Sequence, residues 1–260
     1  MKVFKFNFIN FDCDIGVTPL SPIVSTTITV TATDISTGLI YFIEVKNEWA
    51  RKGTNFAWDP VLGQEQVITT NVNAQMTDNG NNQYSYTNSV VRPGKITISV
   101  IKYTGGSVFN EYYPTTDLTL TSDFSAYSLD LNFNWGTGVI YNTKLDNIGL
   151  KSYFKILAPI TGSYTFIVNV DDSFKLWINS ILVINGCCGF SSGTISLTGG
   201  TFYEGYIEYV EISGPALMIL YWQINGGVQV LVPSSAFYSP QYVSSPVTIT
   251  IQCTNGQSKS

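Results

Sequence analysis

The stretch that decides the fold is Lys155-Ile156-Leu157-Ala158-Pro159-Ile160-Thr161-Gly162-Ser163-Tyr164-Thr165-Phe166, with Val170-Asp171-Asp172-Ser173-Phe174-Lys175-Leu176-Trp177-Ile178 shortly after it. Ser163–Val170 and Phe174–Ile178 are rich in β-branched and aromatic residues and set apolar side chains at alternate positions, the period of a strand with one buried face. Working outward, the same signature recurs at Tyr127–Phe133, Leu150–Leu157, Ile181–Ile184, Thr194–Leu197, Thr201–Glu211, Ala216–Gln223 and Val228–Val232. An earlier series runs Ile23–Thr33, Leu39–Lys46, Glu65–Asn73, Gln83–Val91, Lys95–Tyr103 and Ser107–Tyr112, cut by turn clusters such as Asp78-Asn79-Gly80-Asn81-Asn82 and Arg92-Pro93-Gly94. Short strands between turn signals predict an all-β protein of two β-sandwich domains, with almost no helix. The polar stretch Pro114 to Ser125 is the expected boundary. The domains read as 20–114 and 115–241, flanked by an N-terminal strand segment, 1–19, and a C-terminal strand tail, 242–260. No internal repeat is visible.

Composition narrows the chemistry. The chain has 260 residues, 44% hydrophobic and 12% charged positions, a net charge of −5 and no histidine. Thirteen basic residues among eighteen acidic ones form no basic patch, so nucleic acid is not an expected partner. Without histidine there is no Ser-His-Asp or Cys-His apparatus and no H-E-x-x-H zinc site. Asp and Glu are too scattered to assign an acid and a base, so the protein reads as non-enzymatic. Tyrosines (16) outnumber lysines and arginines together (13), as in exposed β-proteins of surfaces and fibres. Lys5, Asn7 and Asn10 interrupt the apolar N-terminus, which does not read as a signal peptide, and no apolar run is long enough for a membrane span.

Taken in order, Asn134-Trp135-Gly136, the two opening stretches, Thr201–Tyr209, Ala216–Trp222 and Leu231-Val232-Pro233 resemble the anthrax protective-antigen domain family, which includes the domain of yeast flocculin adhesins. The resemblance covers residues 117–238 and implies a β-sandwich found in adhesins, toxins, glycosidases and surface proteins, with no single activity. The earlier stretch Met76–Tyr86, followed by Arg92–Val100, resembles the hairpin of filamin-type immunoglobulin-like repeats, which makes the first domain an immunoglobulin-like one. For Asp171-Asp172 the flocculin resemblance implies a pair joined by a cis peptide that binds calcium, which in turn holds sugar hydroxyls. The alternative is that Asp171-Asp172-Ser173 turns the strand end by bonding nearby backbone N–H groups. The region matching the flocculins' ligand-completing loop, Glu211–Pro215, is short, and no sugar-binding residue is carried over.

Cys187 and Cys188 are neighbours, and Cα atoms ~3.8 Å apart lie below the usual disulfide range, so the two should not pair with each other. Their available partners are Cys13 and Cys253, which gives two disulfides and an oxidising, extracellular or cell-surface setting. Twenty asparagines include no N-x-[ST] sequon. Both ends carry strand-like segments, with Phe4, Phe6 and Phe8 in one and Val247, Ile249 and Ile251 in the other. Each end either folds back on its own domain or completes a sheet in the next molecule, which would build a head-to-tail fibre. The first expectation is therefore a structural or adhesive extracellular subunit that self-associates through these strands. A calcium-dependent glycan-binding adhesin module and an accessory region of a carbohydrate-active enzyme are the alternatives.

Overall fold

The computed structural model describes residues 3–14, 23–33, 39–50, 67–80, 83–88, 94–242 and 247–251, and side chains mainly from 101 to 240. In chain order the strands are β1 (Val3–Asp14), β2 (Ile23–Thr33), β3 (Leu39–Ala50), β4 (Val67–Gln75), β5 (Thr77–Asp78), β6 (Gln83–Asn88), β7 (Gly94–Gly105), β8 (Val108–Tyr113) and β9 (Phe124–Ser128). They continue as β10 (Asn132–Gly136), β11 (Ile148–Leu157), β12 (Gly162–Ile178), β13 (Ile181–Leu197), β14 (Phe202–Glu211), β15 (Ala216–Ile224), β16 (Val230–Leu231), β17 (Phe237–Tyr242) and β18 (Val247–Ile251). One 3-10 turn, Ser234–Ala236, is the only helix among the described residues, so the all-β expectation holds.

The chain divides into two units, Met1–Lys102 with Gln241–Ser260, and Tyr103–Pro240. In the first, β1 pairs with β2, β2 with β6 and β6 with β5, while β3 pairs with β4 and β7 with β18, all antiparallel. Gly80, at φ +76, makes the β5–β6 turn, and its N–H donates to Asp78 Oδ1 at 2.8 Å. Both terminal strands thus pair inside the chain, β1 on β2 and β18 on β7, the fold-back arrangement of the two set out above. The side chains of Phe4, Phe6, Phe8, Cys13, Val247, Ile249 and Ile251, and the whole of Cys253, lie outside the described residues.

The second unit begins earlier than the polar stretch suggested. β8 pairs with β9 and with β11, so Val108–Tyr113 belongs to the second sandwich, and Pro114 to Ser125 is largely a connection within it. A buried polar bridge fixes this: Ser152 Oγ donates to Asn110 Oδ1 at 2.7 Å, and Asn110 Nδ2 donates to Ser128 Oγ at 2.9 Å, tying β11, β8 and β9. The division falls instead between Lys102 and Tyr103, within β7 and just before the Gly105-Gly106 turn, where Gly106 sits at φ +80.

Strand β12 organises this unit. Tyr164–Asp171 pairs with β15, and Ser173–Ile178 pairs with β14, so the strand changes neighbour at Asp171-Asp172. Its hairpin mate β13 follows it throughout, with the register slipping by one residue between Val170 and Ser173. A bulge is how one strand serves two layers of a sandwich. β13 bends with it: a Cβ at Gly186 would strike Ser191, and one at Gly193 would strike the Val183 carbonyl. Alternate residues Tyr164, Phe166, Val168, Val170, Phe174, Leu176 and Ile178 are buried and form one core with Leu150, Phe154, Ile207, Tyr209, Met218, Leu220 and Phe237.

Candidate metal centre

The corner of the β12–β13 hairpin is also where polar groups gather. The Asp171–Asp172 peptide is cis, and a carboxylate oxygen of each lies with Cys188 Sγ in a group whose members are all within 4.8 Å of one another. Cys188 faces the bulge from β13, at φ +54, between the pairs Val170–Gly189 and Ser173–Cys187. Burial first, and then the charge and hydrogen bond of Asp172, push the Asp171 carboxyl above its ordinary value. The Cys188 thiol is pushed up by the Cys187 hydrogen bond, then by burial and by the charges of Cys187, Asp172 and Asp171.

Asp172 is anchored from across the fold. Its Oδ2 accepts the backbone N–H of Ile212 at 2.7 Å and of Ser213 at 3.4 Å, and Asp146 Oδ1 accepts that of Gly214 at 2.9 Å. The alternative reading, a strand-end turn held by nearby N–H groups, therefore meets a different arrangement in which the donors lie 40 residues away. This holds the short loop after β14 against the pair.

Beneath the pair is a carboxyl group that the sequence reading did not single out. Gly205, Ile207, Tyr209 and Glu211 are the inward row of β14, and Glu211 is fully buried. The Tyr209 hydroxyl lies 2.6 Å from the Asp171 carbonyl oxygen and 2.9 Å from Glu211 Oε2, while Glu211 Oε1 has no partner. One hydroxyl proton cannot serve two acceptors. The Tyr209 O–H is the donor toward both oxygens, and only a protonated Glu211 would allow the two contacts to be made at once, with Oε1 still unpartnered. The Glu211 carboxyl is accordingly raised to about 7, by burial first, opposed by the Tyr209 hydrogen bond, and raised further by Asp172, Asp171 and Asp146. Trp135 stacks on Tyr209 at 5.8 Å and Phe133 on Trp135 at 4.7 Å, walling this side with aromatic rings.

The unit that carries this corner has a counterpart among known proteins: the PA14 domain profile matches residues 103–236. The chain belongs to the PA14 domain family. Anti-sigma-I factor RsgI3 of Acetivibrio thermocellus is 29% identical over 146 residues, covering 52% of this chain and 22% of that protein, so the chain spans about a fifth of its relative's length. Among solved structures, an anti-sigma factor domain-containing protein from Clostridium clariflavum is 17% identical with a TM-score of 0.49, over 83% of this chain and 85% of that one. The PA14 sugar-binding domain from an RTX adhesin is 17% identical with a TM-score of 0.43, over 52% and 99%. The Epithelial Adhesin 9 A domain from Candida glabrata, in complex with Galb1-4GlcNAc, is 10% identical with a TM-score of 0.44, over 51% and 89%.

The PA14 domain thus brings Asp171 and Asp172 together. Calcium takes six to eight hard oxygen ligands, and the two carboxylates suit it, with the rest of the shell left to carbonyls, water or a bound hydroxyl compound. The disulfides expected for Cys187 and Cys188 are not seen among the described residues, where both cysteines are exposed; their expected partners, the Cys13 side chain and Cys253, lie outside those residues. Among the described residues no helix is long and apolar enough to cross a membrane. Glu211, Tyr209 and the role of Cys188 beside the pair were not apparent in the sequence. The signal available was parity, since Glu211 continues the inward row of Ile207 and Tyr209.

Proposed function

We propose that this protein is a non-enzymatic extracellular or cell-surface adhesive subunit whose PA14 domain binds glycan through calcium held by Asp171 and Asp172. The observation that carries the reading is that a carboxylate oxygen of each lies within 4.8 Å of the other at the strand switch, with one Asp172 oxygen bonded to the Ile212–Ser213 backbone. A cation there would be held on one side only, and a vicinal diol of a sugar is a natural ligand for the open side of a hard cation. The sugar-binding adhesin domains with the same fold agree with this reading, and the first unit would serve as a filamin-type, immunoglobulin-like spacer. Retention of the full chain on a glycan panel in millimolar calcium tests it. Retention is expected to vanish with chelator and in Asp171→Asn and Asp172→Asn, whereas a chain that retains no glycan in calcium would overturn it.

A further inference from the structure

The outer face of one sheet of the second unit carries a row of aromatic rings that the calcium corner does not use. On β8, β11, β14 and β12 the residues that alternate with the buried row point away from the core, so Phe109, Tyr153, Tyr206 and Trp177 share that face. Register then lines them up. Tyr127 stands opposite Phe109, Phe109 opposite Tyr153, Tyr153 opposite Tyr206 and Tyr206 opposite Trp177, one ring on each of five neighbouring strands. Successive ring centroids are 5.2, 6.3, 5.3 and 5.1 Å apart. A single aromatic cross-strand pair is an ordinary stabiliser of a sheet. An unbroken row leaves a strip of ring surface in water, with Tyr127 52% exposed and the other four rings half-buried, and such a strip marks a binding surface.

The borders of the strip define the chemistry it fits. Glu111, Lys151, Glu208 and Lys175 form the next outward row and alternate in sign across the same strands. On the other side of Tyr153 and Tyr206 stand Lys155 and Glu204, 3.8 Å apart. Glu208 accepts the Tyr206 hydroxyl at 2.8 Å and lies 3.8 Å from Lys175 Nζ, while Glu111 accepts the Tyr113 hydroxyl at 3.0 Å. These polar groups are thus held in place before any ligand arrives, which lowers the cost of binding. Charges that balance along both borders give no field to draw in a polyanion or an anionic lipid surface. A strip one side chain wide is also too narrow for the apolar centre of a stable protein interface.

A pyranose ring with equatorial hydroxyls and linkages matches this pattern, because its two faces are apolar C–H surfaces and its rim is polar. The rings follow the spacing of adjacent strands, ~4.8 Å, which is close to the length of one such sugar unit. Neighbouring rings are inclined by 34° to 50°, so the strip follows a turning chain and not a flat crystalline surface.

We propose that the row from Tyr127 to Trp177 is a second, calcium-independent glycan site that stacks a single chain of a neutral polysaccharide built of equatorially linked pyranose rings. The sugar faces lie on the rings, and the charged borders bond the hydroxyl rim. Trp177 is five residues beyond Asp172 on β12, roughly 15 Å along the strand, so the two sites are separate and this one does not rest on the calcium reading.

Native electrophoresis of the full chain in chelator, through gels containing hydroxyethylcellulose, mixed-linkage β-glucan or glucomannan, tests the site. At least one of these neutral polymers should retard the chain, and polygalacturonate should not. Tyr127→Ala and Trp177→Ala should each weaken the retardation at least about fivefold. Tyr127 is exposed, so its truncation does not threaten the fold. Phe190→Ala removes an exposed ring from the part of β13 that faces Asn169 in the other layer, and should leave the retardation unchanged. No retardation by any neutral polymer, retardation by polygalacturonate alone, or retardation that Tyr127→Ala and Trp177→Ala both leave intact would overturn the site. Sedimentation as a dimer that Trp177→Ala converts to monomer would overturn it too, since the strip would then be covered by a second copy. Retention that appears only in calcium belongs to the Asp171–Asp172 corner, so the two readings fail separately.

Discussion

Glu211 carries a proton-linked consequence of its own. Its carboxyl sits at about 7 in the fold against an ordinary value of 4.5, so the folded chain binds the proton more tightly than the unfolded one. The stability this contributes is complete below the unfolded value and is lost as pH rises through about 7. In the presence of chelator, the melting temperature should therefore fall between about pH 5 and 8, and Glu211→Gln, a neutral isostere, should flatten that fall. An unchanged slope in Glu211→Gln would place the titration elsewhere. At this scale legibility was uneven. Asp171 and Asp172 stand out as adjacent carboxylates in the middle of a strand pattern. Glu211 lies in Tyr209-Val210-Glu211-Ile212, where a charged residue at a strand end looks like a solvent-facing one, and only its position in the inward row marks it as buried.

Among the elements, the β12–β13 hairpin shows what period-two reading can and cannot supply. Alternation identifies Ser163–Val170 and Phe174–Ile178 as strands, but it gives no sign that they form one strand serving two layers, because the inward parity runs unbroken from Val170 to Phe174 across the bulge. β13 was harder to read, since Gly186 to Gly193 is small and polar with an exposed Phe190 and gives no apolar alternation. Those small residues are what the bend requires. Adding one methyl at Gly193 drives it into the Val183 carbonyl on the inside of the corner, and backbone cannot yield as a flexible side chain can. Gly193→Ala should lower stability by ~1–3 kcal/mol in urea unfolding, the usual cost of overpacking. Ser196→Ala, exposed on the same strand, should stay within ~0.5 kcal/mol. Equal effects would mean that the corner relaxes and that the glycine is not needed for close approach.

For the whole molecule, the question is where the second unit begins, because the site and its supports all lie within it. A core that joins Val108 and Tyr112 to Leu150, Phe154, Tyr209 and Phe237 treats β8 as an internal member, although the polar run after Tyr113 looks like a linker in the sequence. That run was misleading because Pro, Thr, Asp and Ser mark a loop within a domain as readily as a loop between domains. Here Asp117 Oδ1 accepts from the Thr119 N–H at 2.9 Å and from its hydroxyl at 2.7 Å, an ordinary local turn. Residues 103–240 expressed alone should therefore melt cooperatively and keep the metal response of the full chain. Residues 115–240 lack β8, which leaves β9 without a neighbour, removes Val108 and Tyr112 from the core and orphans the buried Ser152 hydroxyl. Losing several buried apolar side chains at ~2–5 kcal/mol each exceeds the margin of an ordinary domain, so this shorter piece should not fold. The two pieces can be compared by thermal melts and by near-ultraviolet circular dichroism. A cooperative transition in 115–240 equal to that of 103–240 would return the boundary to the polar stretch and make β8 an accessory strand.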